Sequence, residues 1–238
     1  MSTLFKNTLY INLDDRTDRN EHVKKELAKI MVAKPERMPA IKMPNGAVGC
    51  TMSHIKCIEH AKKAGWSHVF ICEDDITFLY PYTLLGSLAK FETSKIKWDV
   101  IIIGGNNCPP YKREHDFCIK VFNCQTTTGY IVAAHYYDTL IKNFRESAKN
   151  LLRDPGNKRE FALDIYWKQL QQEDNWYMIT PTSVIQYNDY SDIEGKMVDY
   201  QRMMLDLDKE WLFARAKKQS TNNMIMQNMA FVQKAGDK

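Results

Sequence analysis

The sequence His68-Val69-Phe70-Ile71-Cys72-Glu73-Asp74-Asp75-Ile76 joins a short apolar run to three consecutive carboxylates. Because the run contains β-branched residues and is bounded by Gly65 and Pro81, it predicts a buried strand. Ligands of α/β sheets bind beyond the carboxyl ends of the strands, so we expect the carboxylates at the mouth of a crevice. Side chains alternate along an extended segment, which predicts that Glu73 and Asp75 face one way and Asp74 the other.

Glu73 and Asp75 are candidate metal ligands. Two carboxylates on one face repel each other unless a cation or a raised pKa relieves the repulsion. Carboxylate oxygens are hard ligands that suit Mg²⁺ or Mn²⁺, and these ions keep open positions for phosphate oxygens. We therefore predict a metal–phosphate site at this strand end. An acidic surface turn that closes the strand is the alternative.

The composition is that of an ordinary globular protein. The 238 residues are 44% hydrophobic and 26% charged, which suits one large α/β domain with or without an appendage. The net charge of +4 favours anionic ligands such as nucleotides, but it is too diffuse to indicate nucleic acid as a partner. No apolar run approaches the ~20 residues of a transmembrane helix, and the amino terminus lacks the apolar core of a signal peptide. We therefore expect a cytoplasmic protein.

The six cysteines show no paired CxxC spacing. In the cytoplasm their thiols are expected to be reduced, and Cys72, inside the predicted strand, is most simply a free thiol of the core. A disulfide among Cys108, Cys118 and Cys124 is the alternative.

The turn after the first predicted strand is a second candidate for ligand binding. Residues 8–13 predict a strand that leads directly into a helix, and Arg16 and Arg19 stand at the helix start. A helix N-terminus with added positive charge is a natural anion site. The two arginines are therefore candidate nucleotide contacts, and a solvated helix start is the alternative.

Three further candidate residues lie on predicted helices. A helix over residues 48–63 carries Ser53 and His54 in its middle, where a structural histidine beside an apolar stripe is the alternative to a functional one. Asp164 lies among large apolar and aromatic residues near the start of another helix, and a carboxylate in that setting needs a partner or a function. A solvent-facing position on the opposite side of that helix is the alternative.

The remaining pattern completes an α/β domain with a tail. Residues 106–117 hold two prolines, several charged residues and no periodicity, which predicts a mobile loop that closes over a substrate. We expect one domain over residues 1–205 and a helical appendage over residues 206–238. Further strands are predicted at residues 98–105, 126–132, 176–181 and 183–187.

The order and spacing of these motifs resemble glycosyltransferase family 25, the lipopolysaccharide-type transferases related to collagen galactosyltransferases. The resemblance covers about residues 7–193. It rests on YINLDDRTDR at 10–19, GAVGCTMSH at 46–54, VFICEDDI at 69–76, WDVIIIGG at 98–105, TTGYIV at 127–132, ALDIYW at 162–167, and Gln186 followed by Ser191-Asp192-Ile193.

This resemblance implies a GT-A-type fold, a Rossmann-like mixed sheet flanked by helices, with a helical C-terminal tail. It implies transfer of a hexose, glucose or galactose, from a UDP-sugar to a hydroxyl of a glycan or protein-linked acceptor, with inversion at the anomeric carbon, as in lipopolysaccharide biosynthesis. The protein would act in the cytoplasm of a bacterium or, for a viral member, of the host cell, and it could form a homo-oligomer through its tail.

The resemblance also suggests roles for individual residues. Glu73 and Asp75 would hold Mn²⁺ or Mg²⁺ across the diphosphate. An inverting transfer needs a base, and we expect Asp164 in that role because an apolar setting raises a carboxylate's pKa toward the operating pH; Asp192 is the next candidate. On the donor side we expect Asn12, Arg16, Arg19, Ser53, His54 and Asp74, and on the acceptor side Trp167 and Gln186.

Two other readings stay open. The run Glu73-Asp74-Asp75-Ile76-Thr77 resembles the DxDx[TV] motif of aspartyl phosphatases, although Glu73 stands where the nucleophilic aspartate belongs. A non-catalytic module that binds a nucleotide sugar or a carbohydrate would keep most of the transferase motifs. Hydrolysis of a phosphate ester would indicate the first, and donor binding without turnover the second.

Overall fold

The computed structural model describes residues 2–191 and 195–214, without the side chains of Tyr190 and Ser191. The chain divides into two compact units, with the boundary after Leu207. Asp192 and residues 215–238 of the predicted appendage lie outside the described residues. Of the second unit, the described part includes a helix over residues 210–214.

The first unit is built on an eight-stranded mixed sheet. Its strands are β1 (Thr8–Asn12), β2 (Glu36–Pro39), β3 (His68–Glu73), β5 (Val100–Asn107), β6 (Tyr111–His115), β7 (Cys118–Val121), β8 (Cys124–Ala133) and β9 (Trp176–Ile179). Their order in the sheet is β2-β1-β3-β8-β5-β9-β7-β6. Strands β1 and β2, β1 and β3, and β5 and β9 pair in parallel, whereas β8 runs antiparallel to both β3 and β5.

Helices and two small sheets complete the unit. Two pairs of short antiparallel strands are β4 (Ile76–Phe78) with β10 (Val184–Gln186), and β11 (Asp189–Ser191) with β12 (Lys196–Val198). The helices are α1 (Thr17–Lys29), α2 (Gly46–Lys63), α3 (Pro81–Thr93), α4 (Tyr137–Arg153), α5 (Lys158–Phe161), α6 (Leu163–Tyr166), α7 (Lys168–Gln171) and α8 (Gln201–Leu205).

Both faces of the sheet are covered, because alternate residues of the central strands enter two different cores. Val69 and Ile71 of β3 pack in the core that contains residues of α2 and α4. Phe70 and Cys72 of the same strand pack in the core that contains residues of α1 and α3. A strand buried on both faces is apolar without alternation, which is the pattern that residues 69–72 show. The predicted α/β fold, with a mixed Rossmann-like sheet flanked by helices, is confirmed.

Residues 106–117 do not form the irregular loop that the sequence predicted. They comprise the end of β5, the turn after it and the edge strand β6, which pairs antiparallel with β7. The charged side chains of Lys112 and Arg113 are exposed on this edge. Edge strands often carry charges that discourage pairing with another chain, so this strand lacks the apolar pattern by which strands are recognised.

All six cysteines lie among the described residues, and none is joined to another by a disulfide, so the alternative bond among Cys108, Cys118 and Cys124 is not present in the structure. Cys72 is fully buried in β3, as predicted. Among the described residues, no helix is long and apolar enough to cross a membrane.

Gly49 allows α2 to approach the segment that precedes it. A Cβ atom at Gly49 would lie 2.3 Å from the carbonyl oxygen of Ile41. The backbone N–H of Ile41 also donates a hydrogen bond of 2.8 Å to Ser53 Oγ on the same helix. The close approach therefore fixes residues 41–43 against α2, where they form one wall of the pocket described below.

We expect Gly49→Ala to destabilise the protein by about 1–3 kcal/mol, because the added methyl group overlaps a backbone carbonyl that cannot rotate away. The effect opposes helix propensity, which favours alanine over glycine by about 1 kcal/mol. Gly86 of α3 is the matched control, since a Cβ there meets nothing within 4 Å, and Gly86→Ala is expected to stabilise. Denaturant unfolding measures both, and equal stability of Gly49→Ala and the wild type would contradict the packing argument.

Candidate active site

A pocket of about 290 Å³ opens at the carboxyl ends of β1 and β3. Its wall is formed by the β1–α1 turn, the segment 40–46, α2 and the end of β3. Nearly all of the predicted site residues line it: Asn12, Arg16, Arg19, Ser53, His54, Glu73, Asp74, Asp75 and Gln186. The structure thus brings together residues that are up to 174 positions apart in the sequence.

The topology explains why these residues meet. Strands β1 and β3 are parallel neighbours, with Ile11 paired to Glu73, so their carboxyl ends lie at the same edge of the sheet. Helix α1 begins five residues after β1 ends and carries Arg19 in its first turn. Helix α2 presents His54, which is fully buried, toward the end of β3.

The three carboxylates do not alternate as the sequence predicted. Strand β3 ends at Glu73, and Asp74 and Asp75 form the turn to β4. Arg19 Nη1 therefore reaches both aspartates, at 3.2 Å from Asp74 Oδ1 and 3.4 Å from Asp75 Oδ2. Glu73 instead accepts a hydrogen bond from Thr127 Oγ1 and lies 3.3 Å from His54 Nε2. Side chains alternate between two faces only along extended backbone. The extended backbone of β3 ends at Glu73, so the alternation does not continue through Asp74 and Asp75.

Asp75 is the least satisfied of the three carboxylates. Its Oδ1 is buried and has no hydrogen-bond partner among the described residues. Burial and the neighbouring charge of Glu73 raise the pKa of Asp75 well above its usual value, although Arg19 opposes the shift. A buried, unpartnered carboxylate oxygen beside a second carboxylate is the environment that a divalent cation relieves. Glu73 and Asp75 could therefore hold such an ion with hard oxygen ligands.

The other two carboxylates have partners. Burial raises the pKa of Asp74, against the opposing effects of a hydrogen bond from Asn12 and the charge of Arg19. Burial also acts to raise the pKa of Glu73, but the contacts with His54 and Thr127 outweigh it and the pKa is lowered. Glu73 is therefore the member of the group that is ionised most readily, and Asp75 is the member that resists ionisation.

Arg16 and Arg19 share a carboxylate that the sequence analysis did not single out. Asp189, at the start of β11, lies 2.6 Å from Arg16 Nη2 and 3.2 Å from Arg19 Nε. It is more than 160 residues away along the chain, and no local pattern marks it. The two guanidinium groups thus share one carboxylate, and a guanidinium group binds carboxylates and phosphates with the same charge-assisted hydrogen bonds.

Asn12 is also oriented by a residue that the sequence analysis did not select. Arg37 Nε donates to Asn12 Oδ1 at 2.9 Å, so the amide nitrogen of Asn12 points the other way and donates to Asp74 Oδ2 at 2.7 Å. Ser53 has structural partners, since its Oγ donates to the Gly49 carbonyl at 2.8 Å and holds the backbone of Ile41.

Asp164 and Trp167 are not among the residues that line the pocket. Asp164 is half-buried and its Oδ2 accepts a 3.0 Å hydrogen bond from the backbone N–H of Thr126. Burial raises its pKa against this hydrogen bond, and the charge of Glu73 adds to the increase. Trp167 is fully buried in the core and its indole N–H donates to the carbonyl of Cys124, so the structure gives it no exposed surface for an acceptor.

Comparison with known proteins gives a family match over part of the chain. Residues 33–101 match glycosyltransferase family 25, which is described as LPS biosynthesis protein. This segment contains α2, with Ser53 and His54, and the carboxylates at the end of β3. The match confirms the resemblance to that family. None of the curated proteins matches the chain.

Three solved structures share a distant likeness with the chain. A glycosyltransferase involved in the glycosylation of the major capsid of PBCV-1 is 10% identical over 79% of this chain and 95% of that chain, with a TM-score of 0.47. A protein from STIV is 12% identical over 81% and 93%, with a TM-score of 0.43. A Drosophila galactosyltransferase in complex with manganese, UDP-Gal and xylobiose is 11% identical over 56% and 50%, with a TM-score of 0.34. At these scores the likenesses establish neither fold nor function.

Proposed function

We propose, from the premise that the chain is a glycosyltransferase with a family 25 segment, that it is a metal-dependent inverting enzyme. It moves a hexose, glucose or galactose, from a UDP-sugar to a hydroxyl of a glycan or protein-linked acceptor. The observation that carries the proposal is the pocket itself, which places two arginines opposite a pair of carboxylates, one of them with a buried and unpartnered oxygen.

The arginines support binding of a diphosphate. Arg16 stands at the residue before the first turn of α1 and Arg19 lies in that turn. Backbone N–H groups at a helix N-terminus attract anions. Both guanidinium groups already hold the carboxylate of Asp189. A diphosphate offers more oxygens and more charge than one carboxylate, so it is expected to replace Asp189 as their partner.

The carboxylates support a divalent cation, Mn²⁺ or Mg²⁺. Glu73 and Asp75 offer hard oxygen ligands, and a bound cation would give the buried Asp75 Oδ1 a partner. An ion held there would supply positive charge beside the leaving nucleoside diphosphate. Asp74, which Asn12 and Arg19 hold in place, is then available to contact the donor rather than the ion. Gln186 lines the same pocket and is the residue that we assign to the acceptor side.

Asp164 is the residue that we assign as the general base. The hydrogen bond from Thr126 fixes one carboxyl oxygen, and the raised pKa brings the group nearer to the operating pH, as a base requires. Thr126, which donates to Asp164, and Thr127, which donates to Glu73, are adjacent residues of β8, so one short stretch of strand contacts both carboxylates. Asp164 would take the proton of the acceptor hydroxyl.

A thermal-shift screen tests the proposed donor class. We expect UDP-glucose or UDP-galactose to raise the midpoint of unfolding when Mn²⁺ or Mg²⁺ is present and to have little effect in EDTA. A ligand at a hundred times its Kd adds about 2.7 kcal/mol to stability, or roughly 5–10 °C for a chain of this size. Uridine is the control without phosphate. A shift of the same size in EDTA would contradict the metal-dependent donor site.

A further inference from the structure

A second group of possible metal ligands lies in the wall of the same pocket. It consists of Cys50, His54 and Glu73, whose ligand atoms all lie within 4.8 Å of one another. Cys50 and His54 are four residues apart, so they share one face of α2, and Glu73 ends the strand opposite that face. All three residues line the pocket.

The spacing of the nitrogen and oxygen atoms suits tetrahedral zinc. His54 Nε2 and Glu73 Oε1 are 3.3 Å apart. Zinc takes nitrogen and carboxylate ligands at about 2.0–2.2 Å, and two such ligands at the tetrahedral angle are about 3.4 Å apart. The two atoms therefore stand where they could share one ion without a change in backbone structure.

The imidazole of His54 is held in place from its other side. Nδ1 forms a 3.0 Å hydrogen bond with the hydroxyl group of Tyr130, and both rings are fully buried. Metal-binding histidines have a hydrogen-bond partner of this kind on the second ring nitrogen, which fixes the ring and the tautomer. With Nδ1 bonded to Tyr130, Nε2 is the nitrogen that lies beside Glu73.

We infer that Cys50, His54 and Glu73 form a zinc site at the base of the pocket. Sulfur, imidazole and carboxylate ligands together favour Zn²⁺ over Mn²⁺ or Mg²⁺, which prefer oxygen alone. Because Glu73 also belongs to the proposed donor site, Zn²⁺ and the Mn²⁺-bound donor exclude each other. That consequence rests on the proposed function, whereas the zinc site itself does not.

Cobalt titration of the full chain tests the site directly. Co²⁺ takes the place of zinc in such sites, and a thiolate ligand gives a charge-transfer band in the near ultraviolet. We expect the wild type to show this band and Zn²⁺ to remove it. Cys50→Ser should lose the band, while Cys108→Ser, which changes another partly buried thiol, should keep it. A wild type without the band, or Cys50→Ser with it, would overturn the inference.

Two further variants separate this site from the donor site. His54→Gln should weaken cobalt binding by about 100-fold or more, since loss of an outer partner alone costs 10–100-fold, and circular dichroism checks that the variant is folded. Asp75→Asn should keep the band, because Asp75 is not a ligand of this ion. Loss of the band in Asp75→Asn would place the ion at the donor site and overturn the inference. Failure of Mn²⁺-dependent UDP binding in the wild type would contradict the proposed function and leave the cobalt result unchanged.

Discussion

Asp164→Asn is expected to lower sugar transfer by about 10²–10⁴-fold, the usual range for a lost general base, while UDP binding stays at the strength of the wild type. The amide has the shape of the carboxyl group and its oxygen can still accept the hydrogen bond from Thr126. The change therefore removes the proton acceptor and preserves the local structure. The raised pKa of Asp164 adds a second expectation. Transfer in the wild type should fall as the pH drops through a value above that of an ordinary carboxyl group, because the protonated form cannot act as a base.

Release of UDP from the donor in the presence of acceptor measures the effect. Asp99→Asn is the matched control, because Asp99 is also half-buried and accepts a backbone N–H, from Asn175 at 2.8 Å, but lies at the amino end of β5. It should leave transfer unchanged. Transfer by Asp164→Asn at nearly the wild-type rate would make the assignment wrong, and Asp192 would be the next candidate. Loss of UDP binding in Asp164→Asn would assign Asp164 to the donor site. UDP binding by a wild type that transfers no sugar would indicate a binding module.

Asp75→Asn is expected to have two effects of opposite sign. In EDTA the variant should be more stable than the wild type at neutral pH, since burial and the charge of Glu73 raise the pKa of Asp75 and make its ionised form unfavourable in the folded state. With Mn²⁺ present, the variant should lose metal-dependent UDP binding by about 100-fold or more, because a direct ligand contributes at least as much as its outer partners. Asp75 is thus expected to lower the stability of the folded protein and to contribute to metal-dependent UDP binding.

The pH dependence follows from the direction of the shift. The pKa of Asp75 is higher in the folded state than in the unfolded state, where it is about 3.9. Below that value both states are protonated, so the wild type and the variant should be equally stable. As the pH rises toward the raised pKa, the unfolded wild type loses its proton and the folded wild type keeps it, which favours unfolding. The advantage of Asp75→Asn should therefore be largest near neutral pH.

Thermal unfolding in EDTA across this pH range measures the stability effect. The expected result is a higher unfolding midpoint for Asp75→Asn than for the wild type at neutral pH, and equal midpoints below the pKa of an ordinary carboxyl group. Asp15→Asn is a control on an exposed carboxylate whose pKa is lowered by its contact with Lys42, so that substitution should give no gain. An Asp75→Asn variant with the same midpoint as the wild type at every pH would contradict the strained state of Asp75, even if UDP binding were lost.

Much of the fold could be predicted because its signals are local. Residues 69–72 are continuously apolar, and the structure buries them on both faces of the sheet. Arg16 and Arg19 lie at the start of the helix that follows the first strand. That helix start is next to the carboxyl end of the strand, so both arginines line the pocket. The carboxylates at 73–75 line the same pocket because they stand at the carboxyl end of β3. The resemblance to glycosyltransferase family 25 rests on the order of several motifs along the chain, which no single motif could show.

The remaining features depend on long-range contacts or on backbone details. Asp189 meets two arginines from the opposite end of the chain, and Tyr130 fixes His54 across 76 positions of sequence. The charged edge strand β6 is held by backbone pairing with β7, which its side chains do not indicate. The aromatic ring of Trp167 would suit contact with a sugar ring, but the side chain is fully buried in the core. Cys50 could have been found, since it lies four residues before His54 on the same predicted helix face.

Hydrogen exchange of the full chain with UDP and Mn²⁺ locates the nucleotide as well as detecting it, so it is the decisive experiment for the donor site. The informative segments are residues 13–16 after β1 and residues 40–45 before α2, which contribute to the pocket wall. The amides of Arg16, Ala40 and Ile41 are already hydrogen-bonded, so the other amides of these segments carry the signal. We expect both segments to become protected by UDP with Mn²⁺, and EDTA or Asp75→Asn to remove the effect. Binding of UDP without protection of either segment, or with equal protection in EDTA, would contradict it.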